Sequence, residues 1–463
     1  MVSEKALQQN KMATAPVGKL LFTMSLPLML SMVMEAFYNV VDSLFVAHVS
    51  ENALTAVSLA FPIQLLIIAI TVGTAAGVSA ILSRLLGAKN RKGVDSVASN
   101  GIFLAIMTYL LFLILGLFFT KSYFAWQTSD AEIARLGVDY LTICMVFSFG
   151  SVGQVILQRI LQSTGKTMLS MVSQLVGAAI NIIFDPILIF GLCGFPRMEV
   201  IGAAVATVAG QIVAMVIAIY FNLTRNEEVH FHFKGFRPDR KMIVEIYRIS
   251  APAIVMQALN SLMALGVNLI LIRVSSTMVA AFGIYIKVQG FIFMPAFGLN
   301  NGVIAIGAFN YGAKNKKRVD DTFKFGMIYA VAILLAGMVL VHVLATRILF
   351  LFDASDELLA IGVPALRIIS LGYIFAAFSI IAQGIYQALG NGIYSLIVTL
   401  LRVAIFLLPV LYVFVKLFDA NNVWWAFILS EVSASIVAAL FLKRIYIQKI
   451  IPQKVIPAER ENI

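Results

Sequence analysis

Acidic and amide side chains interrupt two of the most apolar segments of the chain. In the stretch "EAFYNVVDSLFVAH", Glu35, Asn39 and Asp42 stand at positions i, i+4 and i+7, so they share one face of a helix. In "NIIFDP", Asn181 and Asp185 are likewise four residues apart. A charged side chain at the centre of a spanning helix costs about 2.5–3.5 kcal/mol on insertion scales, and such residues mostly mark transport pathways or ligand sites.

At about 1.5 Å per residue, Asp42 and Asp185 lie at similar depths in their helices, so they could converge on one pocket. There they could take up and release a proton, or they could hold a cation. Removal from water and mutual repulsion both disfavour their charged forms, so a proton or a cation would be retained between them. Asp42, Asn181 and Asp185 could together provide oxygen ligands for Na⁺. The alternative is a polar cluster that only ties two helices together, and Glu35 could simply face a central cavity.

The composition is that of a polytopic helical membrane protein. Of 463 residues, 61% are hydrophobic and 12% are charged, whereas soluble domains carry about 25% charged residues. Many apolar runs exceed the roughly 20 residues that cross a bilayer, and they lack the alternation of a spanning β-barrel. Residues 1–19 are polar and do not have the pattern of a cleavable signal peptide.

The apolar pattern predicts twelve spanning helices. Lys and Arg concentrate in alternate connections, at 83–93, 225–241, 312–321 and after Lys443, so the positive-inside rule predicts that both termini are cytosolic. This distribution also explains the net charge of +11 without a nucleic-acid partner. The predicted spans are residues 20–48, 53–84, 94–120, 133–163, 167–191, 200–222, 243–273, 278–310, 320–345, 358–388, 393–417 and 423–446.

An internal repeat with an offset of 225 residues predicts two lobes of six helices. The stretches "GAKNRKGVDS" (87–96) and "GAKNKKRVDD" (312–321) match at seven of ten positions, and "LQSTG" pairs with "YQALG" at the same offset. We expect an all-α membrane protein with two pseudo-symmetric lobes related by an axis along the membrane normal. The expected parts are a cytosolic tail (1–19), an N-lobe (20–222), a cytosolic loop (223–242), a C-lobe (243–446) and a second tail (447–463).

The repeat also shows which polar residues one lobe has and the other lacks. Asp42 corresponds to Val267, Asp185 to Val410 and Glu35 to Asn260. The sequence therefore predicts that membrane-embedded carboxylates belong to the N-lobe alone, which favours a specialised role over a structural one.

Other polar residues within the spans are candidates for contact with a substrate in a cavity. Some of them could instead bridge helices, and Lys287 could be a charge gate or the partner of a carboxylate. The substrate-binding candidates are Glu35, Asn39, Gln154, Gln158, Gln257, Asn260 and Lys287.

The chain resembles the multidrug and toxic compound extrusion (MATE) transporters from residue 20 to about residue 446. The resemblance is carried by "SLPLMLSMVMEAFYNVVDSLFVAH", the repeated "GAKN" loops, "LQSTGKT" and "NIIFDP". It implies an antiporter with a V-shaped MATE-type fold that exports cationic, amphipathic compounds in exchange for H⁺ or Na⁺. It also implies a multi-pass protein of the plasma (inner) membrane of a prokaryote, acting as a monomer without an enzymatic cofactor.

The resemblance assigns roles to individual residues. Asp42 matches the acidic residue of the family's first helix, and Asn181 and Asp185 match the fifth-helix pair of the DinF-like branch. Tyr38 and Thr207 are further candidates for this ion-coupling network. The NorM-like carboxylates of helices 7 and 10 have no counterpart here, since Asn260 stands at the first position.

Five alternatives are less consistent with the sequence: ATP hydrolysis, a metal site, a lipid-linked oligosaccharide flippase, a passive channel and a membrane enzyme. "TGKT" (164–167) has Ile160 where a phosphate-binding loop requires glycine, and "HFH" (230–232) has too few ligands for a metal site. A lipid-linked oligosaccharide flippase of the same superfamily would show more spans or a basic cavity. A passive channel would repeat its polar groups in both lobes, and a membrane enzyme would show clustered nucleophiles or metal ligands.

Overall fold

The spans are long helices, several of them interrupted by proline. In a computed structural model, residues 10–231, 236–418 and 422–451 are described, and no strand occurs among them. The α-helices are α1 (Lys11–Thr14), α2 (Val17–Ala47), α3 (Glu51–Gly87), α4 (Arg91–Phe118), α5 (Thr120–Gln127), α6 (Ala131–Val146), α7 (Phe149–Ser163), α8 (Thr167–Phe190), α9 (Glu199–Thr224), α10 (Arg240–Leu271), α11 (Ser276–Gly312), α12 (Lys316–Phe350), α13 (Asp356–Ser370), α14 (Tyr373–Ala388), α15 (Gly392–Leu400), α16 (Leu408–Leu417) and α17 (Trp425–Ile445). Two π-helices, Leu401–Leu407 and Tyr446–Ile450, complete the set.

Within the described residues the helices provide up to twelve spans. Ten segments are long and apolar enough to cross a membrane, and two bent pairs, α6 with α7 and α13 with α14, add one span each. The bends measure 42° and 46°, so the predicted helices 133–163 and 358–388 are each broken in two. The all-α membrane fold with up to twelve spans is thus confirmed.

The repeat is visible in the backbone geometry of its turns. Lys89 and Lys314 both have a positive φ, of 55° and 56°. The next residue in each copy caps a helix, since Asn90 accepts a hydrogen bond from Gly93 N and Asn315 accepts one from Arg318 N. Identical turns 225 residues apart are what a duplicated six-helix unit requires.

Two compact units divide the chain, and their boundaries differ from the division in chain order. One unit contains Leu30–Leu86 and Asn90–Ile254, and the other contains Lys11–Met29, Gly87–Lys89 and the chain from Val255 onward. The helices α2 and α10 are therefore each shared between the units, with breaks at equivalent positions of the repeat.

A serine near the start of each of these two helices donates a hydrogen bond to a neighbouring helix of the same unit. Within the second unit, Ser25 Oγ donates to the carbonyl of Leu299 at 3.5 Å. Within the first unit, its repeat counterpart Ser250 donates to the carbonyl of Thr74 at 3.2 Å. Because Pro27 and Pro252 interrupt the helical hydrogen bonding just beyond these serines, each helix can change direction there.

Candidate functional site

The carboxylate site of the first unit depends on the close packing of α8 against α9. A Cβ added at Gly177 would lie 2.7 Å from the carbonyl oxygen of Gly210, so only glycine permits this approach. The contact brings Asn181 of α8 beside Thr207 of α9, and Asn181 Nδ2 donates to Thr207 Oγ1 at 3.2 Å. The same amide lies 3.4 Å from Asp185 Oδ1.

Asp185 is completely buried, and its neighbour is the carboxyl group of Asp42 from α2. The two groups are close enough to form a hydrogen bond once one of them is protonated. Without that proton, Asp42 Oδ1 and Asp185 Oδ2 are buried atoms with no hydrogen-bond donor in the described structure. Ionised carboxylates only accept hydrogen bonds, so a shared proton or a bound cation would satisfy the pair.

Polar groups of α3 and α6 lie within electrostatic range of Asp42. Gln64 Nε2 donates to the hydroxyl of Tyr140 at 3.0 Å and lies 3.9 Å from Cys144 Sγ. Tyr140 and Cys144 both interact electrostatically with Asp42. This triad was not predicted from the sequence, although the spacing of Tyr140 and Cys144 places both on one helix face.

Tyr38 and Glu35 extend the site along α2. Tyr38 interacts electrostatically with both Glu35 and Asp42, and Asn39 is exposed and donates to the carbonyl of Glu35 at 2.8 Å. Arg159 of α7 acts on Glu35 as an opposite charge. It was not predicted, although it is the one cation inside the glutamine-rich segment of the predicted helix 133–163.

Comparisons with known proteins place the chain in one family. The MatE family model matches residues 27–187 and 252–413, which is more than half of the chain. The chain belongs to the MatE family.

Relatives of this MatE chain extend over nearly its whole length. The multidrug export protein MepA of Staphylococcus haemolyticus is 28% identical, with 91% of this chain and 92% of the relative covered. MepA of Staphylococcus aureus is 26% identical, with 92% and 94% covered. A crystal structure of a MATE protein has a TM-score of 0.89 at 25% identity, and an outward-facing multidrug resistance MATE transporter has a TM-score of 0.90 at 24%; both cover 96% of this chain and 98% of theirs.

Two of the predicted substrate residues of this MatE protein are engaged in helix packing. Gln154 and Gln158 are each 7% exposed. Both donate to Gln174 of α8, and Gln158 also donates to Ser173 Oγ at 2.9 Å. Because these contacts use their amides to join α7 to α8, we assign both residues to packing rather than to substrate contact.

The remaining candidates lie in the second unit. Gln257 and Asn260 are exposed on α10. The Nζ atom of Lys287 lies 5.5 Å from the centre of the Phe352 ring, and no ion pair to Lys287 occurs among the described residues. Lys287 therefore has an aromatic neighbour in place of the expected carboxylate partner.

The prediction that embedded carboxylates belong to the N-lobe alone is wrong. Glu431 lies inside α17, where its carboxylate accepts a hydrogen bond from Arg402 Nη1 at 2.9 Å. Glu431 corresponds to Ala206 in the repeat, so it is not found by locating the counterparts of the first-unit carboxylates. Among the described residues, the carboxylate pair of the first unit has no ion-pair partner, whereas Glu431 of the second unit is paired with Arg402.

The described residues contain no cluster of three or more His, Cys, Asp or Glu side chains that could hold a metal ion. The backbone N–H of His230 donates to Asp95 Oδ1 at 2.7 Å, which ties the connecting loop to α4. The second histidine of the "HFH" stretch, residue 232, lies outside the described residues, as do residues 1–9 and 452–463 of the two predicted terminal tails.

Proposed function

We propose that this protein is a secondary active multidrug efflux antiporter, which exports cationic, amphipathic organic compounds in exchange for H⁺ or Na⁺ by alternating access. The observation that carries the proposal is the buried pair Asp42 and Asp185, in which one oxygen of each group has no donor. Two relatives that match the chain over more than nine-tenths of its length are multidrug export proteins by name, which supports the same conclusion.

The pair is arranged for exchange rather than for permanent binding. With both groups ionised, the site carries two negative charges, and among the described residues Asn181 donates a hydrogen bond to Asp185. An organic cation or the coupling ion would each lower this charge, so the presence of one disfavours the other. Mutual exclusion at one site is the physical basis of antiport.

Residues of α2 connect this site to the substrate. Asn39 is exposed one helical turn from Asp42, and Tyr38 and Glu35 flank it. We assign Glu35 and Asn39 to substrate contact and Tyr38, Asn181 and Thr207 to the coupling network. Na⁺, if it is the coupling ion, would be held by Asp42, Asn181 and Asp185.

We also propose in which membrane the protein lies, how it is oriented there and how the membrane potential affects the exchange. The basic connections are taken to lie in the cytosol, so both termini are cytosolic and the protein resides in the plasma (inner) membrane of a prokaryote. A membrane potential contributes about 2.3 kcal/mol per net charge moved across 100 mV. An exchange that moves net positive charge inward would therefore be accelerated by an interior-negative potential. The protein works as a monomer and uses no cofactor beyond the coupling ion.

Transport by purified protein in proteoliposomes tests the proposal. Ethidium movement is followed under a pH gradient and, separately, under a sodium gradient, for the wild type and for Asp42→Asn. We expect gradient-driven ethidium accumulation by the wild type and a loss of about tenfold or more in the variant. The matched control is Asp353→Asn, the same substitution at an exposed loop position, which should transport at the wild-type rate.

Three outcomes would contradict the proposal. Gradient-driven transport by Asp42→Asn at the wild-type rate would remove the carboxylate pair from the mechanism. Ethidium leakage that equilibrates without responding to either gradient would indicate a passive channel. Translocation of a lipid-linked oligosaccharide without ethidium transport would indicate the flippase.

A further inference from the structure

The second unit contains an ion pair that the carboxylate site and the repeat do not explain. Arg402 lies in the π-helix Leu401–Leu407 and Glu431 in α17, both within apolar spans. Their counterparts 225 residues earlier are Gly177 and Ala206, so the first unit has no equivalent pair. Ionisable residues inside spanning segments are by default candidates for a functional site.

The ion pair leaves part of both groups unsatisfied. Arg402 Nη1 donates to Glu431 Oε1 at 2.9 Å, and Nη2 donates to Asn260 Oδ1 at 3.3 Å. The side chains are 22% and 17% exposed. Within the described structure, Glu431 Oε2 and Arg402 Nε are buried atoms without a hydrogen-bond partner. A purely structural ion pair in an apolar surrounding would be expected to satisfy these atoms.

Aromatic rings and a small cavity surround the pair. The cavity measures about 30 Å³, and its lining includes Tyr285, Phe293, Tyr373, Phe427, Arg402 and Glu431. The rings of Phe293 and Tyr373 are 4.9 Å apart, edge to face, and those of Tyr285 and Phe427 are 6.1 Å apart. Tyr373 is 2% exposed, and its side chain interacts with that of Tyr285 within the cavity lining.

A carboxylate that shares a cavity with aromatic rings is suited to recognise organic cations; the aromatic cage is defined here as Tyr285, Phe293, Tyr373, Phe427 and Glu431. The face of an aromatic ring attracts a cation, and aromatic cages are the common solution for substituted ammonium groups. In this structure the carboxylate already has a cationic partner, because Arg402 Nη1 donates to Glu431 Oε1 and Arg402 lines the same cavity. The remaining volume admits one or two water molecules at most, which excludes a drug-sized ligand while Arg402 stays in place.

We propose that this aromatic cage is a second subsite for the cationic group of an exported compound, and that Arg402 is an internal occupant which the ligand displaces. This inference rests on the proposed efflux function and assigns part of its substrate recognition to the second unit. Displacement leaves the ligand's ammonium group on Glu431 and frees the volume of the guanidinium. Asn260 is exposed, and its Oδ1 already accepts a hydrogen bond from Arg402 Nη2. It therefore remains available as an acceptor when the guanidinium of Arg402 moves away from Glu431.

The segment that carries Arg402 permits such a movement. The α-helix changes to a π-helix from Leu401 to Leu407, and Pro409 follows within the first turn of α16. A π-helical turn in a longer helix often lies at a functional site, and proline has no N–H with which to complete the helical bonding. Rearrangement of residue 402 therefore disturbs fewer regular hydrogen bonds than it would in an uninterrupted helix.

Ethidium binding to purified protein in detergent tests the inference, because the two members of the pair should have opposite effects. Arg402→Met removes the internal competitor and should tighten binding, on the order of tenfold, whereas Glu431→Gln removes the acceptor and should weaken it by a similar factor. The double variant Arg402→Met/Glu431→Gln should bind as weakly as Glu431→Gln. Each variant is also measured with Asp42→Asn, which isolates the second unit from the carboxylate pair.

A structural ion pair predicts a different pattern. If Arg402→Met and Glu431→Gln weaken binding equally, or if neither changes it, the second subsite does not exist. Thermal unfolding of each variant shows whether a weak binder is folded. If a single variant does not fold, the folded double variant still tests whether ethidium binding needs Glu431. Opposite effects on binding in a protein that shows no gradient-driven transport would retain the subsite and refute only the antiport function.

Discussion

The two units use equivalent helix positions in opposite ways. In the first unit, Gly177 lets α8 approach α9 closely, and the resulting site has two carboxylates without a cation to balance them. In the second unit, the position of Gly177 is taken by Arg402, and that of Ala206 by Glu431, which bond to each other. One duplicated fold thus accommodates both arrangements. Since the second unit folds without counterparts of Asp42 and Asp185, these carboxylates are not required by the fold.

Neutralising one carboxylate in each unit should change the free energy of unfolding differently, with a loss in the second unit and none in the first. This is the largest effect on stability that we expect. Glu431→Gln leaves the guanidinium of Arg402 partly buried without its counter-charge, which should lower the free energy of unfolding by about 3–4 kcal/mol. Asp185→Asn removes a charge from an unbalanced pair, so it should leave stability unchanged or raise it. Thermal unfolding in detergent at neutral pH measures both.

The double variant Arg402→Met/Glu431→Gln serves as the control for this comparison. It removes the whole charge pair and should recover most of the stability lost in Glu431→Gln. If Asp185→Asn destabilises the protein as much as Glu431→Gln does, the carboxylate pair is a structural element, and the contrast between the units is wrong.

A smaller effect is expected from the glycine that replaces this arginine in the first unit. The added Cβ of Gly177→Ala would lie 2.7 Å from Gly210 O and 2.8 Å from Ala214 Cβ. Relieving this overlap would move α8 from α9 and should cost about 1–3 kcal/mol of stability. Transport should fall as well, because Asn181 would leave hydrogen-bond distance of Thr207.

The matched control is the same substitution at Gly283, where an added Cβ meets no atom within 4 Å. Gly283→Ala lies inside α11 and should retain or slightly increase stability, since alanine favours the helix. Equal loss of transport in both variants would show that the close approach of α8 and α9 does not position the coupling network.

The fold was accessible from the sequence because its signals are repeated and long. Apolar runs of spanning length and the duplicated "GAKN" turns each specify local structure that no tertiary contact overrides. The crossing of α2 and α10 between the compact units could not be predicted, since a continuous helix gives no sign of which neighbours its two halves contact. The hydrogen bonds of Ser25 and Ser250 show which unit each helix start belongs to, but only once their acceptors, Leu299 and Thr74, are known.

The sequence predicts which site residues share a helix face, but it does not predict their partners on other helices. Helical spacing places Asn181 with Asp185, and the depth of both aspartates predicts that they meet. Spacing along one helix says nothing about partners on another, so Gln64, Tyr140 and Arg159 were missed. Gln154 and Gln158 look like cavity residues on α7, but their amides face the equally polar Gln174 and Ser173 across a helix interface. Glu431 was not predicted because its repeat counterpart is Ala206, which gives no sign of an acidic position in the second unit.

A third carboxylate of the first unit, outside the spans, should show the smallest effect. Burial is the main cause that raises the pKa of Glu228 above its usual value, and a hydrogen bond from Asn10 opposes this only in part. A raised pKa means that the folded state binds the proton more tightly, so ionised Glu228 destabilises the fold above its folded-state pKa. That penalty disappears as the pH falls through this pKa towards the unfolded value.

Glu228→Gln should therefore raise the unfolding temperature at neutral pH, by at most about 2 °C, and should leave it unchanged at acidic pH. The measurement is thermal unfolding of both proteins at several pH values between 4 and 8, with Glu227→Gln, its neighbour in sequence, as the control. Unlike Asp42 and Asp185, Glu228 should have no effect on ethidium transport, because it lies beyond the end of α9. Loss of gradient-driven transport in Glu228→Gln would mean that ion coupling extends outside the spans, so that the embedded pair would no longer account for it alone.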